Sequence, residues 1–172
     1  MSLQTRIIYP FVETWQDYPD SVSNAVLVYF VGCDNYCKGC HNHQLINYYN
    51  NDARSIFLGN FIEDLNNMCT RCNTDKVVLS GGDPLYCKNV EFVKSFLVQN
   101  NLSVTIYTGY DYSYVKRCEI SGFDFIKVGK FIPEESQPPA KSDTFLRLAS
   151  KNQKIYNKDL IEVTDGNGVF FF

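Results

Sequence analysis

Seven consecutive apolar residues, Ala25 to Val31, form an unbroken hydrophobic run. Without polar alternation, such a run reads as a strand buried on both faces. Shorter runs of the same character follow at Lys76–Ser80, Leu102–Tyr107 and Phe123–Val128. Between them the period changes to that of a helix. Within Ser55–Met68, Leu58, Phe61, Ile62, Leu65 and Met68 fall at i, i+3, i+4, i+7 and i+10. Within Asn89–Gln99, Val90, Val93, Phe96 and Leu97 share one face, and Asn89 stands where an N-cap would. Asp111–Cys118 reads as a short third helix. Residues 1–24, with Pro10 and Pro19 among many polar positions, read as irregular. Pro133–Pro139 reads as a loop, and the tail offers one or two more strands at Lys154–Tyr156 and Leu160–Thr164.

Strands that alternate with helices predict an α/β fold with a mainly parallel sheet. A closed eight-fold barrel takes about 250 residues, and this chain has 172. The expectation is therefore an incomplete TIM-type β/α barrel with a curved sheet, in a single domain over 1–172 whose core spans about 25–155. Three segments that follow strands stand out: the loop 32–43, Gly81-Gly82-Asp83-Pro84, and Thr108-Gly109-Tyr110. In a parallel sheet they gather at the carboxyl ends of the strands, where α/β folds bind ligands.

The first of these loops carries Cys33, Cys37 and Cys40 at spacing C-x3-C-x2-C. Three thiolates within eight residues can hold one inorganic cluster but leave it one protein ligand short. Such an open position is the mark of a catalytic metal centre rather than a closed structural one. A structural zinc site would need a fourth ligand. Cys37 and Cys40 with Cys69 and Cys72 supply four cysteines, but the gap is wider than the usual ~15–20 residues and Cys33 is left unused. A ferredoxin-like carrier would need a fourth nearby cysteine and C-x2-C-x2-C spacing. His41 and His43 are the only histidines. Either is open as a ligand, although loop histidines beside metal sites more often pack or hydrogen-bond. Cys69 and Cys72 form a redox pair, part of a metal site, or ordinary thiols, and Cys87 and Cys118 read as core or incidental. Gly81-Gly82-Asp83-Pro84 would alone be a turn. Behind a buried strand and a cysteine loop it becomes a seat for a ligand, with glycines that let the backbone approach.

Composition narrows the setting. A net charge of −3 argues against a nucleic-acid partner. No apolar stretch precedes Arg6 as in a signal peptide, and no run approaches the ~18 residues of a membrane span. The expectation is a cytoplasmic protein, where seven cysteines point to metal or redox chemistry rather than disulfides.

The ordered set Gly32-Cys33 to Gly39-Cys40-His41-Asn42, Ser80-Gly81-Gly82-Asp83-Pro84-Leu85, Tyr107-Thr108-Gly109-Tyr110, Val128-Gly129-Lys130-Phe131 and Arg147-Leu148-Ala149-Ser150-Lys151-Asn152-Gln153 resembles the radical S-adenosylmethionine (SAM) superfamily. Within it, the set is similar to the activating subunits of anaerobic ribonucleoside-triphosphate reductase. The resemblance covers residues 25–155. It implies a [4Fe–4S] cluster on Cys33, Cys37 and Cys40, with SAM chelating the open iron. It implies one electron from a flavodoxin-like donor, cleavage of the sulfonium S–C5′ bond, and a 5′-deoxyadenosyl radical. That radical takes a hydrogen from a glycine of the large reductase subunit. The implied SAM site comprises Gly39, His41, Gly81, Gly82, Asp83 and Thr108. His41 lies beside the adenine through backbone contacts. The carbonyls of Gly81 and Gly82 meet the ammonium, and Asp83 acts directly or by stabilising its loop. The superfamily usually has an aromatic before the third cysteine; Gly39 stands there instead, as in the activase subgroup, which weakens a stacking role at that position. Asp111, Lys127, Lys130 and Arg147 contact the SAM carboxylate or the partner, or are solvated surface. Asn152 and Gln153 complete the pocket near the last strand. The alternatives are another small radical SAM enzyme, activating a different glycyl-radical enzyme or forming a deazaguanine, and a zinc-binding adaptor.

Overall fold

The computed structural model describes residues 3–19, 24–137 and 148–164. Seven strands form one sheet: β1 (Gln4–Thr14), β2 (Ala25–Phe30), β3 (Ala53–Phe57), β4 (Lys76–Gly81), β5 (Ser103–Tyr107), β6 (Phe125–Val128) and β7 (Lys154–Asn157). Among the described residues, three α-helices accompany them: α1 (Leu58–Cys72), α2 (Val90–Gln99) and α3 (Tyr112–Arg117). The strand order is β3-β1-β2-β4-β5-β6-β7. The four central strands, β2, β4, β5 and β6, run parallel. β1, β3 and β7 are added antiparallel at the flanks. The sheet is open, with β3 and β7 at its edges.

Alternation along the central strands sorts their side chains to two faces. Val26, Val28, Phe30, Val77, Leu79, Val104, Ile106, Ile126 and Val128 join the main core with Phe61 and Leu65 of α1, Phe92, Val93, Phe96 and Leu97 of α2, and Val115 of α3. All three helices therefore cover one face. Full burial of a side chain such as Phe61 or Leu65 contributes about 1.5–3 kcal/mol. The opposite face carries a smaller core of Tyr18, Ala25, Leu27 and Val78. Among the described residues, no helix is long and apolar enough to cross a membrane.

Three expectations need correction. Residues 4–14 are not irregular. They form the longest strand, paired to both β2 and β3. Its register to β2 shifts between Ile8 and Val12, and the apolar Tyr9 and Val12 are exposed, which hides its alternation in the sequence. The first helix does not begin at Ser55: residues 53–57 are strand, and α1 follows without a turn. Leu160–Thr164 forms no strand; it contributes an isolated bridge between Tyr156 and Glu162. Pro133–Glu135 makes a short 3₁₀ turn, while Pro138, Pro139 and Arg147 lie outside the described residues.

Candidate metal and cofactor site

The segments that follow β2, β4, β5 and β6 meet at the carboxyl edge of the parallel sheet. They surround a cavity of about 370 Å³, within the range of small-molecule sites. Cys33, Cys37, Gly39, Cys40 and His41 line it from the first loop. Gly81, Gly82 and Asp83 line it from the second, Thr108 and Gly109 from the third, and Lys127, Gly129, Lys130 and Phe131 from β6 and beyond. Gln153 closes it near β7. All nine residues assigned to the cluster and SAM from the sequence thus face one space.

The cysteine loop is held by backbone bonds to the 3₁₀ turn that follows it. Gly32 N donates to Leu45 O at 2.8 Å and Cys33 N to Ile46 O at 3.1 Å. The three cysteines are half-buried. Burial pushes the Cys33 thiol up, opposed by Asn35, whose backbone and side-chain N–H groups lie 3.5 and 3.6 Å from its Sγ. Among the described residues, no three cysteine, histidine or carboxylate side chains converge on a point that would hold a single ion. The half-buried thiols, bordering one cavity large enough for a further ligand, fit a [4Fe–4S] group with an open position.

The Gly-Gly-Asp-Pro segment is pressed against the first loop. A Cβ on Gly82 would lie 2.7 Å from the carbonyl oxygens of both Gly32 and Leu45. Gly81 adopts φ +112°, and a Cβ there would collide with Phe30 O. These glycines are therefore required by contact between two pieces of backbone, whatever ligand lies above them. Gly82 N and Asp83 N donate to Phe30 O and Gly32 O, both at 2.8 Å. The Gly81 carbonyl accepts from Asn42 Nδ2 at 3.2 Å.

Asp83 is fully buried, and both its oxygens are engaged. Oδ1 accepts from Leu85 N at 2.9 Å and Thr108 Oγ1 at 2.8 Å. Oδ2 accepts from Gly109 N at 2.9 Å and Asn35 Nδ2 at 3.3 Å. The carboxylate therefore ties three loops together. Desolvation pushes its pKa up to about 6, against the pull of these donors and of Lys127. Thr108 is buried as well and completes the knot by accepting from Tyr110 N at 3.1 Å.

His41 is exposed at the rim, its ring centroid 6.3 Å from that of Phe131. Asp111 caps α3 by accepting from Tyr114 N at 2.8 Å and is not a cavity residue. Gln153 Nε2 donates to Gly129 O and Asn152 Nδ2 to Lys130 O, so both pin the loop after β6. Asn35 and Asn42 are missed by sequence reasoning: asparagines inside a cysteine loop give no signal that distinguishes them from solvated turn residues. Lys127, which the sequence offers as a contact to the SAM carboxylate or the partner or as solvated surface, lines the cavity. Desolvation pushes its pKa down to about 8, against attraction from Asp83, Cys37 and Cys40.

Cys69 and Cys72 lie at the far end of α1. That helix runs back against the strands, and Asn24 at the start of β2 donates to Cys72 O at 2.6 Å. The pair therefore sits at the amino edge of the sheet, away from the cavity. Burial pushes Cys69 up to about 11 and raises Cys72 too, which makes both poor thiolates. Cys118 packs against the core and Cys87 is exposed.

Residues 24–156 match the family described as a 4Fe-4S single cluster domain. An anaerobic ribonucleoside-triphosphate reductase-activating protein of Haemophilus influenzae is 30% identical over 139 residues, 72% of this chain and 86% of that protein. The chain belongs to this activating-protein family. The activating protein of Enterobacteria phage T4 is 27% identical over 158 residues, 87% of this chain and 91% of its own. That of Escherichia coli K12 is 26% identical over 156 residues, covering 83% and 96%. The family match spans the cysteine loop, the Gly-Gly-Asp-Pro segment and the strands between them.

Proposed function

We propose that this chain is the radical SAM activase of an anaerobic ribonucleoside-triphosphate reductase. It places a glycyl radical on the large subunit of that enzyme. The observation that carries the reading is the convergence of Cys33, Cys37 and Cys40 with Gly81, Gly82, Asp83 and Thr108 on one cavity, with no fourth cysteine lining it among the described residues. The cysteines hold [4Fe–4S], and SAM fills the open position from the seat formed by the second and third loops. The chemistry supplied by the bound pair is one-electron cleavage of a sulfonium bond. The chain's own residues bind, orient and exclude water. Asp83 and Thr108 keep the three loops in register. Gly39 and His41 form the rim on the adenine side, and the ammonium of Lys127 balances negative charge in the cavity wall.

The sheet is read as part of a barrel, with helices on its outer face and the cavity at its carboxyl end, in one domain over 1–172. A flavodoxin-like protein supplies the electron in the cytoplasm. The large subunit covers the open side of the cavity and brings its glycine to it. Anaerobic reconstitution should give about four irons per chain, and Cys33→Ala, Cys37→Ala or Cys40→Ala should lose the cluster. With SAM, reductant and a candidate large subunit, the protein should yield 5′-deoxyadenosine and a glycyl-radical EPR signal. Vigorous SAM cleavage that gains nothing from the large subunit would overturn this reading.

A further inference from the structure

Asn89 stands at the start of α2, where the sequence reads it as a helix cap, but its side chain makes no cap bond. It is fully buried. Its Nδ2 donates to Val31 O and to Asp83 O, both at 2.9 Å. Its Oδ1 accepts from Thr5 Oγ1 of β1 at 2.7 Å. A carboxamide has two N–H donors, and both are used on these carbonyls. Val31 leads into Gly32-Cys33, and Asp83 ends the Gly-Gly-Asp segment. A side chain at the far end of the β4–α2 connection thus bonds the root of that loop and of the cysteine loop, and Thr5 fixes which way its amide faces.

We propose that Asn89 is a positioning residue for the cofactor site. It holds the Cys33 loop and the Gly81–Asp83 loop in register, so that a ligand seated on the second meets the open metal position on the first. The role rests on the activase reading above. The two loops leave different strands, β2 and β4, and a ligand that bridges them depends on their offset. A misplacement of about 1 Å in such a geometry can lower reactivity ~10²-fold. Residues that orient ligating groups from behind typically change affinity or activity by about 10–100-fold when replaced.

The test compares full-length, anaerobically reconstituted Asn89→Asp, Asn89→Ala, Thr5→Val and Asn100→Ala with the unaltered protein. Asn89→Asp keeps the size and the acceptor for Thr5 but turns an oxygen toward two carbonyls. Asn100→Ala is the control: it removes bonds to Phe96 O and Leu97 O at the other end of α2. Iron per chain, urea stability and the EPR spectrum of the reduced cluster during SAM titration are measured. The Asn89 variants should keep their iron yet need about 10–100-fold more SAM for the half-maximal spectral change. Thr5→Val should shift the midpoint the same way by less. Asn100→Ala should lose stability and titrate as the unaltered protein does.

Asn89 variants that respond at the unaltered SAM concentration would overturn the positioning role. So would midpoints that merely follow stability, with Asn100→Ala shifted equally. Should the Asn89 variants not fold, an unchanged midpoint in Thr5→Val overturns it. A reconstituted wild-type cluster indifferent to SAM would instead sink the activase reading, and the positioning role with it.

Discussion

Asp83, fully buried, and Lys127, half-buried, carry charges of opposite sign in one cavity wall, and desolvation acts on both. A lysine with a lowered folded pKa holds its proton less tightly in the native state than in the unfolded chain. Its charge therefore destabilises the fold below about pH 8. That penalty is relieved as pH rises toward the unfolded value of ~10.4. In urea unfolding of the metal-free protein, stability relative to Lys127→Met should rise between pH 7.5 and 9.5. A difference independent of pH would mean that Lys127 keeps an ordinary proton affinity. Asp83 has the opposite sign: its raised pKa stabilises the fold below the unfolded value of ~3.9, and this is lost as pH rises through about 6. At Gly82 the argument is steric. A methyl group against two carbonyl oxygens at 2.7 Å has nowhere to move, so Gly82→Ala should cost about 1–3 kcal/mol in denaturant unfolding. Gly39→Ala meets nothing closer than Phe131 at 3.6 Å, so its cost is that of an alanine held at φ +74°, about 1–2 kcal/mol.

Among the elements, those buried on one or both faces were legible. β2, β4, β5 and β6 are runs of Val, Ile, Leu and Phe, and α1 and α2 have clear helical periods. β1 was not, because one of its inward positions, Thr5, is polar while the apolar Tyr9 and Val12 are exposed, which blurs the alternation that Thr5, Ile7 and Phe11 keep. β3 is hidden within the helical period because no turn residue separates Phe57 from Leu58. In the site, the cysteines and glycines were legible from spacing and turn chemistry. Asn35, Asn42 and Asn89 were not, because an asparagine that binds backbone from another element looks the same in sequence as one in a turn or cap. Cys69 and Cys72 are now assigned to the amino edge of the sheet by α1. A Cys69→Ser/Cys72→Ser double variant should therefore reconstitute with the full iron content and keep the glycyl-radical signal. Loss of iron would return that pair to the metal site.

Across the whole molecule, function and packing are divided between the faces and ends of one sheet. The helices close one face, and the cavity opens at the carboxyl end of the strands. β1 is the element that joins the two regions. It pairs with β2 and β3 across its length, and Thr5 reaches Asn89 beneath the cavity. Deletion of residues 1–14 should therefore abolish the cooperative unfolding transition followed by circular dichroism, although the deleted segment contains none of the three cluster cysteines. Retention of a sharp transition would show that β2–β6 fold without it.

The bond between Thr5 and Asn89 spans 84 residues, and this sets a timetable for biosynthesis. All three cluster cysteines emerge from the ribosome before the second loop and before the asparagine that ties both loops together. During that interval the nascent chain exposes the three thiols without the second loop and the asparagine that fix their surroundings in the folded protein. On the proposed activase reading, loading with iron and sulfide would therefore wait until residue 89 has been made.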